Sequence, residues 1–335
     1  MFLDLNRLPK LIVILGPTAS GKTDLALKLA KKFNGEIVNA DSRQIYRGMD
    51  IGTGKVEAEK RRTKRGKTQI VAQGVSHYLI DVVNPGEEFT LADYKKMAVA
   101  AIGNIIKRGK TPFLVGGTGL YIQAVMDNLE IPTVPPNKKL RVKFEREIAK
   151  AKESRIENRE SRIVEKWYKK LLKLDLGAAK VVDKNNPRRI SRALEVCLAI
   201  GKPFSKLRER GEQLFDTLQI GITLPRGKLY GRIDKRVDWM VEHGLIEETR
   251  RLMKKYDPIL PSMSGIGYKE IGEYLECQMS NVKCQKVLEE AIQKIKYRTH
   301  DYARRQMTWF RRDKRIKWIK NYKEAEKIIK KWVGG

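Results

Sequence analysis

"LIVILGPTASGKT", Leu11 to Thr23, sets a five-residue apolar run against a loop of the form G-x-x-x-x-G-K-[ST]. An apolar run that short and uniform is expected of a strand buried on both faces, which places it inside a parallel sheet. The loop comprises Gly16, Pro17, Thr18, Ala19, Ser20, Gly21, Lys22 and Thr23, and its residue types grip phosphate. The glycines let backbone N–H groups close around oxyanions, and Lys22 adds a charge. The Thr23 hydroxyl is placed to ligate Mg²⁺, at the start of a helix whose dipole also favours anions. Loops of this kind usually hold ATP or GTP, so the rest of the chain must decide which phosphate this one holds.

Downstream, "TDLALKLAKKFN" has helical spacing at Leu25, Leu29 and Phe33, and "EIVNADS" reads as a second strand. "HYLIDVV" (77–83) and "TPFLVGG" (111–117) read as two more, with the helix "TLADYKKMAVAAIGNIIKRG" between them. Strands alternating with helices imply a doubly wound parallel sheet whose site lies at the carboxyl ends of the strands. The proline-rich "NLEIPTVPPN" breaks the pattern, and helical spacing follows at Leu140, Phe144 and Ile148, then Val164, Trp167 and Leu171. A strand returns at "LFDTLQIGITLP" (214–225). The expected fold is therefore α/β, a P-loop NTPase-like doubly wound parallel sheet with an inserted all-helical domain. The core takes residues 1–125 and 203–335, the insertion 126–202. "KRRTKRGK" (60–67) reads as a basic loop or flap.

The 335 residues hold 70 Lys and Arg against 40 Asp and Glu, a net charge of +30. Such a surface attracts polyanions by neutralising phosphates and releasing counterions; a solvated basic surface is the plainer reading. Cys197, Cys277 and Cys284, like His77, His243 and His300, are scattered without the spacing of a metal cage. No apolar run approaches the ~20 residues that span a bilayer, and "MFLDLNRLPK" lacks a signal peptide's apolar centre. A soluble, cytoplasmic protein with no membrane partner is expected.

Several positions carry candidate chemistry. Asp41, in "DSRQIY", ends the second strand at the sheet edge beside the loop; it can hold Mg²⁺ through water, accept a proton, or cap a turn. Thr118, in "GGTGLY", offers a hydroxyl at the same edge. Asp81 fits a Walker-B-type magnesium ligand, and Arg226, after the returning strand, fits a diphosphate clamp or a surface charge. In "AIQKIKYRTHDYARRQMTWFRRD", Arg298, Arg304 and Arg305 interleave with Tyr302 and Trp309. That mixture suits RNA phosphates and unstacked bases, or a buried stripe with a solvated face.

Together the segments resemble tRNA dimethylallyltransferase, the bacterial-type tRNA isopentenyltransferase family. "GPTASGKT", "NADSRQIYRGMDIGTGK", "HYLIDVVNPGEEFTLADY", "FLVGGTGLYIQA", "RRISRALEV", "SGIGYKEI" and "RTHDYARRQMTWFRRD" stand in that family's order and spacing across nearly the whole chain. The resemblance implies transfer of a dimethylallyl group from its diphosphate to the exocyclic amine of the adenosine 3′-adjacent to the anticodon. It implies that the loop, with Arg226, holds a prenyl diphosphate, that Mg²⁺ is held at Thr23 and bridged by substrate, and that Asp41 is the general base, with Thr118 at the substrate channel. It assigns tRNA contacts to Asp41, Ser42, Arg43, Gln44, Thr118 and Arg141, and to the run Arg188, Arg189, Ile190, Ser191, Arg192; Arg298, Arg304 and Arg305 join them from the basic helix. The partners implied are dimethylallyl diphosphate and the tRNA anticodon stem-loop, and a monomer is expected. One departure stands out: the family commonly has Gln-Arg where this chain has Arg188-Arg189, and Arg accepts no hydrogen bond. A small-molecule kinase and an adenylate isopentenyltransferase share the loop, but neither accounts for all the motifs.

Overall fold

The computed structural model describes residues 8–62, 68–132, 134–154, 156, 158–207, 210–278 and 284–334. In chain order the elements begin with β1 (Lys10–Leu15), α1 (Lys22–Lys32), β2 (Gly35–Asn39), β3 (Glu59–Arg62), β4 (Thr68–Ala72) and β5 (Val75–Tyr78). Then come α2 (Leu91–Lys107), β6 (Thr111–Gly116), α3 (Gly119–Met126), α4 (Lys138–Glu153), α5 (Arg159–Leu174), α6 (Ala178–Val181) and α7 (Pro187–Ile200). The chain closes with β7 (Asp216–Ile222), α8 (Arg226–Glu242), α9 (Leu245–Met253), α10 (Tyr268–Gln278), α11 (Cys284–Phe310), β8 (Lys317–Ile319) and α12 (Tyr322–Gly334).

The chain forms two compact units, Met1–Met126 with Gln213–Gly335, and Asp127–Glu212. In the first, the described residues make one sheet of order β3-β4-β5-β2-β6-β1-β7-β8. From β5 to β8 every pairing is parallel, with β1 between β6 and β7. The apolar run of β1 alternates between two cores. Leu11, Val13 and Leu15 face the core built with α2 and α3; Ile12 and Ile14 face the one built with α1 and α12. A third cluster joins α8, α9, α10 and α11 to Ile45, Tyr46 and Met49.

The sheet has the expected parallel core and adds an antiparallel edge to it. β3 and β4 form an antiparallel hairpin and β4 pairs antiparallel with β5. Residues 60–62 of the basic run lie in β3, and 63–67 lie outside the described residues. The strand expected over 77–83 stops at Tyr78, because Leu79 and Asp81 take positive φ of 63° and 55°. Asp81 therefore leaves the ladder and pairs with Lys55 at 2.6 Å and Lys60 at 3.0 Å, which overturns the magnesium-ligand reading.

The second unit is helical. Phe144, Trp167, Leu171, Ile190 and Leu194 fill its core, and the rings of Phe144 and Trp167 stack at 4.4 Å. Asn186 caps α7 by accepting the Arg189 N–H, and Pro187 opens the first turn. Residues 203–212, expected in the core, belong to this unit. Phe204 packs on its cluster, and the Ser205 N–H and hydroxyl both donate to Asp175. Its two ends meet in a neck: Leu129 bridges Arg210, and the Gly211 N–H donates to the Asn128 carbonyl at 3.2 Å.

Near the amino end of β2, away from the strand ends that carry the loop, Glu36 is buried and accepts from Arg108, Lys110 and Tyr78. Burial alone would raise its carboxyl; the donors from Arg108, Lys110 and Tyr78 outweigh it and bring it down to about 2. Replacing Glu36 with Ala is expected to cost about 2–3 kcal/mol, a buried-pair value discounted for the exposure of Arg108 and Lys110. A carboxyl depressed on folding stabilises fully above its unfolded value near 4.5, and that share is lost as pH falls toward 2. Urea unfolding at pH 7 and pH 3 should show the cost at pH 7 shrinking at pH 3.

Candidate active site

The turn from β1 to α1 is shaped by its backbone. Ala19 and Gly21 take positive φ of 59° and 89°, so the first amides of α1 point out of the turn as a concave nest. Ser20 is 1% exposed, and its Oγ has no hydrogen-bond partner. Lys22 is drawn down to about 8, chiefly by burial; Asp41 raises it, and Arg236 lowers it again. An orphaned hydroxyl and a desolvated ammonium beside open amides make a cradle that fits an oxyanion.

Two neighbouring strands complete the edge. Asp41 follows β2; its Oδ1 accepts the Arg43 N–H at 2.8 Å. Thr118 follows β6; its N–H donates to the Ala40 carbonyl at 3.2 Å, and its Oγ1 accepts the Ser42 N–H at 3.1 Å. The two expected catalytic turns are thus joined directly. Gln306 of α11 ties the phosphate loop to the same turn. Its Oε1 accepts the Thr18 N–H and its Nε2 donates to the Gly117 carbonyl, both at 2.8 Å. A Cβ on Gly117 would stand 2.3 Å from that amide nitrogen, so only glycine permits the approach.

Two cavities meet here, with Thr18, Asp41, Thr53 and Arg236 lining both. The smaller, about 70 Å³, is polar and includes Lys22 and Thr23. The larger, about 410 Å³, has an apolar wall of Ile233, Val237, Met240, Ile266 and Ile295, with Tyr268, Tyr302 and Arg305 also lining it. Hard oxygen donors at Thr23 and Asp41 beside an anion cradle are of the kind Mg²⁺ accepts. Among the described residues no group of three or more His, Cys, Asp or Glu forms a protein metal cage.

The arginine that lines both cavities is Arg236, which the sequence reading does not single out. Its Nη1 reaches Thr18 Oγ1 at 3.4 Å, and its Nη2 reaches the carbonyls of Thr53 and Gly54 at 3.4 and 3.5 Å. Arg226, expected there as a catalytic and diphosphate-binding residue, is exposed at the start of α8. Its guanidinium lies over the Tyr230 ring at 5.1 Å, and it lines neither cavity. The signal for Arg236 was present: it interrupts the α8 stripe Leu229, Ile233, Val237, Met240. A cation on an apolar face has to meet something polar.

The remaining expected residues divide by what their side chains touch. Arg43 donates to the carbonyls of Pro261 and Ser262, and Gln44 to those of Thr53 and Gly54. Their polar heads thus organise loops around the cavity, and Arg43 also lines it. In the helical unit, Ile190 is 0% and Ser191 7% exposed. Their side chains sit in the α7 packing and cannot reach a ligand on the surface, which corrects their expected tRNA contacts. Arg141 and Arg192 both pair with the buried Glu195, and Arg192 also donates to the Val134 carbonyl. Arg188 and Arg189 are exposed. On α11, Arg298 is engaged by buried Glu270 and Arg304 by Asp301, while Arg305 lies over Tyr302.

A family model described as IPP transferase matches residues 44–313, and one described as isopentenyl transferase matches residues 9–78. The tRNA dimethylallyltransferase of Roseiflexus sp. (strain RS-1) is 43% identical over 329 residues, covering 96% of this chain and 98% of its own. The full-length tRNA isopentenylpyrophosphate transferase of Bacillus halodurans has a solved structure 37% identical, with a TM-score of 0.64, covering 97% of this chain and 96% of its own. A eukaryotic dimethylallyltransferase, seen in crystallographic snapshots acting on tRNA, is 30% identical with a TM-score of 0.67, over 90% of this chain and 69% of its own.

The geometry separates the two arginines by experiment. Titration calorimetry with inorganic diphosphate should show Arg236→Ala weakening binding about tenfold to hundredfold, the range of a lost charge-assisted bond. Arg226→Ala should change it less than about threefold. The same titration has a pH signature. Lys22 titrates at about 8, and a bound anion holds it protonated. Below pH 8 the proton is already in place; above it, binding must take one up. The affinity of wild type relative to Lys22→Arg, which stays charged throughout, should be level below pH 8 and fall up to about tenfold per pH unit above it.

Proposed function

We infer the activity of this chain from one premise: it belongs to the IPP transferase family. It transfers a dimethylallyl group from dimethylallyl diphosphate to the exocyclic amine of the adenosine 3′-adjacent to the anticodon of tRNA. One observation supports this above the others. A cationic cradle for a small anion opens onto an apolar-walled cavity, and Asp41 stands at the junction. An ATP-type reading explains the cradle alone; a prenyl diphosphate uses both parts.

The chemistry follows from the placement of charge. The amine nitrogen attacks the allylic carbon, the carbon–oxygen bond breaks, and the diphosphate departs with the bonding pair. Positive charge develops on carbon and negative charge on the leaving oxygen, which the loop amides, Lys22 and Arg236 stabilise. Asp41 accepts the proton shed by the amine, while Thr118 fixes the turn that carries it. Thr23 would hold Mg²⁺, whose charge would help neutralise the leaving group.

The acceptor must be extruded from its stack to reach Asp41. Tyr302 and Arg305, lining the larger cavity, offer a ring and a planar cation against which a base stacks. The helical unit offers phosphate contacts through Arg188 and Arg189, and through Lys139, Lys143, Arg146 and Lys150 along α4. Those contacts survive the replacement of the family's Gln by Arg188, since phosphate needs only donors. We take the protein to act as a monomer in the cytoplasm; among the described residues no helix is long and apolar enough to cross a membrane.

Incubation with labelled dimethylallyl diphosphate, Mg²⁺ and unmodified tRNA, with AMP and ATP in parallel tubes, tests the assignment. Label is expected in tRNA at the adenosine beside the anticodon. Label in AMP or ATP would reassign the acceptor. Asp41→Asn should lower turnover about 10²- to 10⁴-fold, the usual contribution of a positioned base, with tRNA affinity nearly unchanged. Wild-type turnover in that variant would remove Asp41 as the base.

A further inference from the structure

Glu248, on α9, is a buried carboxylate that takes no part in the chemistry above. It is 5% exposed and accepts four hydrogen bonds. Oε2 takes the N–H groups of Asp50 and Ile51, each at 3.0 Å. Oε1 takes the Gly52 N–H at 3.1 Å and the Tyr268 hydroxyl at 2.6 Å. Three consecutive backbone N–H groups converging on one anion form a nest, and here the protein fills the nest with its own side chain. The approach is close: a Cβ on Gly52 would stand 2.5 Å from the Tyr268 ring.

The same segment borders the active site. Gly52 lines the larger cavity, Gly54 the smaller, and Thr53 both. The carbonyls of Thr53 and Gly54 accept from Gln44 Nε2 at 3.2 and 3.1 Å, and from Arg236 Nη2 at 3.4 and 3.5 Å. A guanidinium bonded to two successive carbonyls is aimed by them, so its direction depends on where the segment lies. The carboxylate of Glu248 holds the stretch that leads directly into those two carbonyls.

We propose that Glu248 is a positioning residue for the diphosphate: by fixing residues 50–52 it sets the Thr53 and Gly54 carbonyls that aim Arg236 into the cradle. The proposal rests on the diphosphate reading of that cradle. In Glu248→Gln one oxygen is replaced by an NH₂ group that faces backbone donors. Two bonds are lost and the segment shifts. A misplacement of about an ångström at a charged clamp is enough to weaken binding substantially.

Calorimetry with inorganic diphosphate, paired with steady-state kinetics, gives the test. Glu248→Gln should weaken diphosphate binding about tenfold and raise KM for dimethylallyl diphosphate about as much, with KM for tRNA unchanged. In an Arg236→Ala background the same substitution should add less than about twofold, because the residue it acts through is gone. Tyr268→Phe, which deletes one of the four bonds, should give about threefold, and it carries the test if Glu248→Gln does not fold. Unchanged diphosphate affinity with only a lower Tm would make Glu248 a purely structural residue and overturn the proposal. So would full additivity with Arg236→Ala. Failure of the wild type to bind diphosphate overturns the cradle reading itself, and this proposal with it. Wild-type binding without the split between substrates overturns the proposal alone.

Discussion

Strand β1 has a parallel neighbour on either side and a packed helical layer on either face. Its peptide groups are consumed by the ladder and its side chains by two cores, until the chain leaves the sheet at Gly16. There the backbone must turn without a ladder partner, and the amides that open α1 have no intrahelical acceptor. An anion at that point completes the hydrogen bonding of the fold as well as meeting a ligand. The turns after β2 and β6 sit at the same edge because parallel strands end together there. Asp41 and Thr118 reach the loop by topology before any side chain is chosen.

The two ends of the sheet treat charge in opposite ways. Around Glu36, two cations and a hydroxyl are spent on one carboxylate, and nothing there is left over for a ligand. At the carboxyl edge, Lys22 and Arg236 share the field of Asp41 and both stand below their ordinary values, with burial as the leading cause. A group that folding makes costly to charge is restored by a ligand of opposite sign. That imbalance is a physical mark of the functional end.

Much of the site was legible because it is local. The loop lies in eight consecutive residues, and Asp41 and Thr118 follow apolar strands whose direction the pattern gives. Arg236 was harder, since its reach to Thr18 depends on how α8 packs over the sheet, and no local spacing states that. Arg226 has the local signal of a position just after a strand, whereas Arg236 is marked only as a charge on an apolar stripe. The β3–β4 hairpin left no apolar alternation in "EKRR", so an edge strand looked like a solvated loop. Ile190 and Ser191 are buried, although the motif that holds them opens on the exposed Arg188 and Arg189. Their fate was readable in the α7 stripe Ile190, Ala193, Leu194, Cys197.

The neck of the helical unit has a consequence for how such a chain can vary. Departure and return lie side by side, closed by the Asn128–Gly211 bond and the Leu129–Arg210 bridge. To the rest of the chain, everything between them is one sealed loop, and the entropy of closing a loop grows only logarithmically with its length. Residues can therefore be gained or lost beyond the neck while the sheet experiences almost no change in tension. The unit is a cassette. Its size can change while the dimensions of the sheet edge stay fixed by β1.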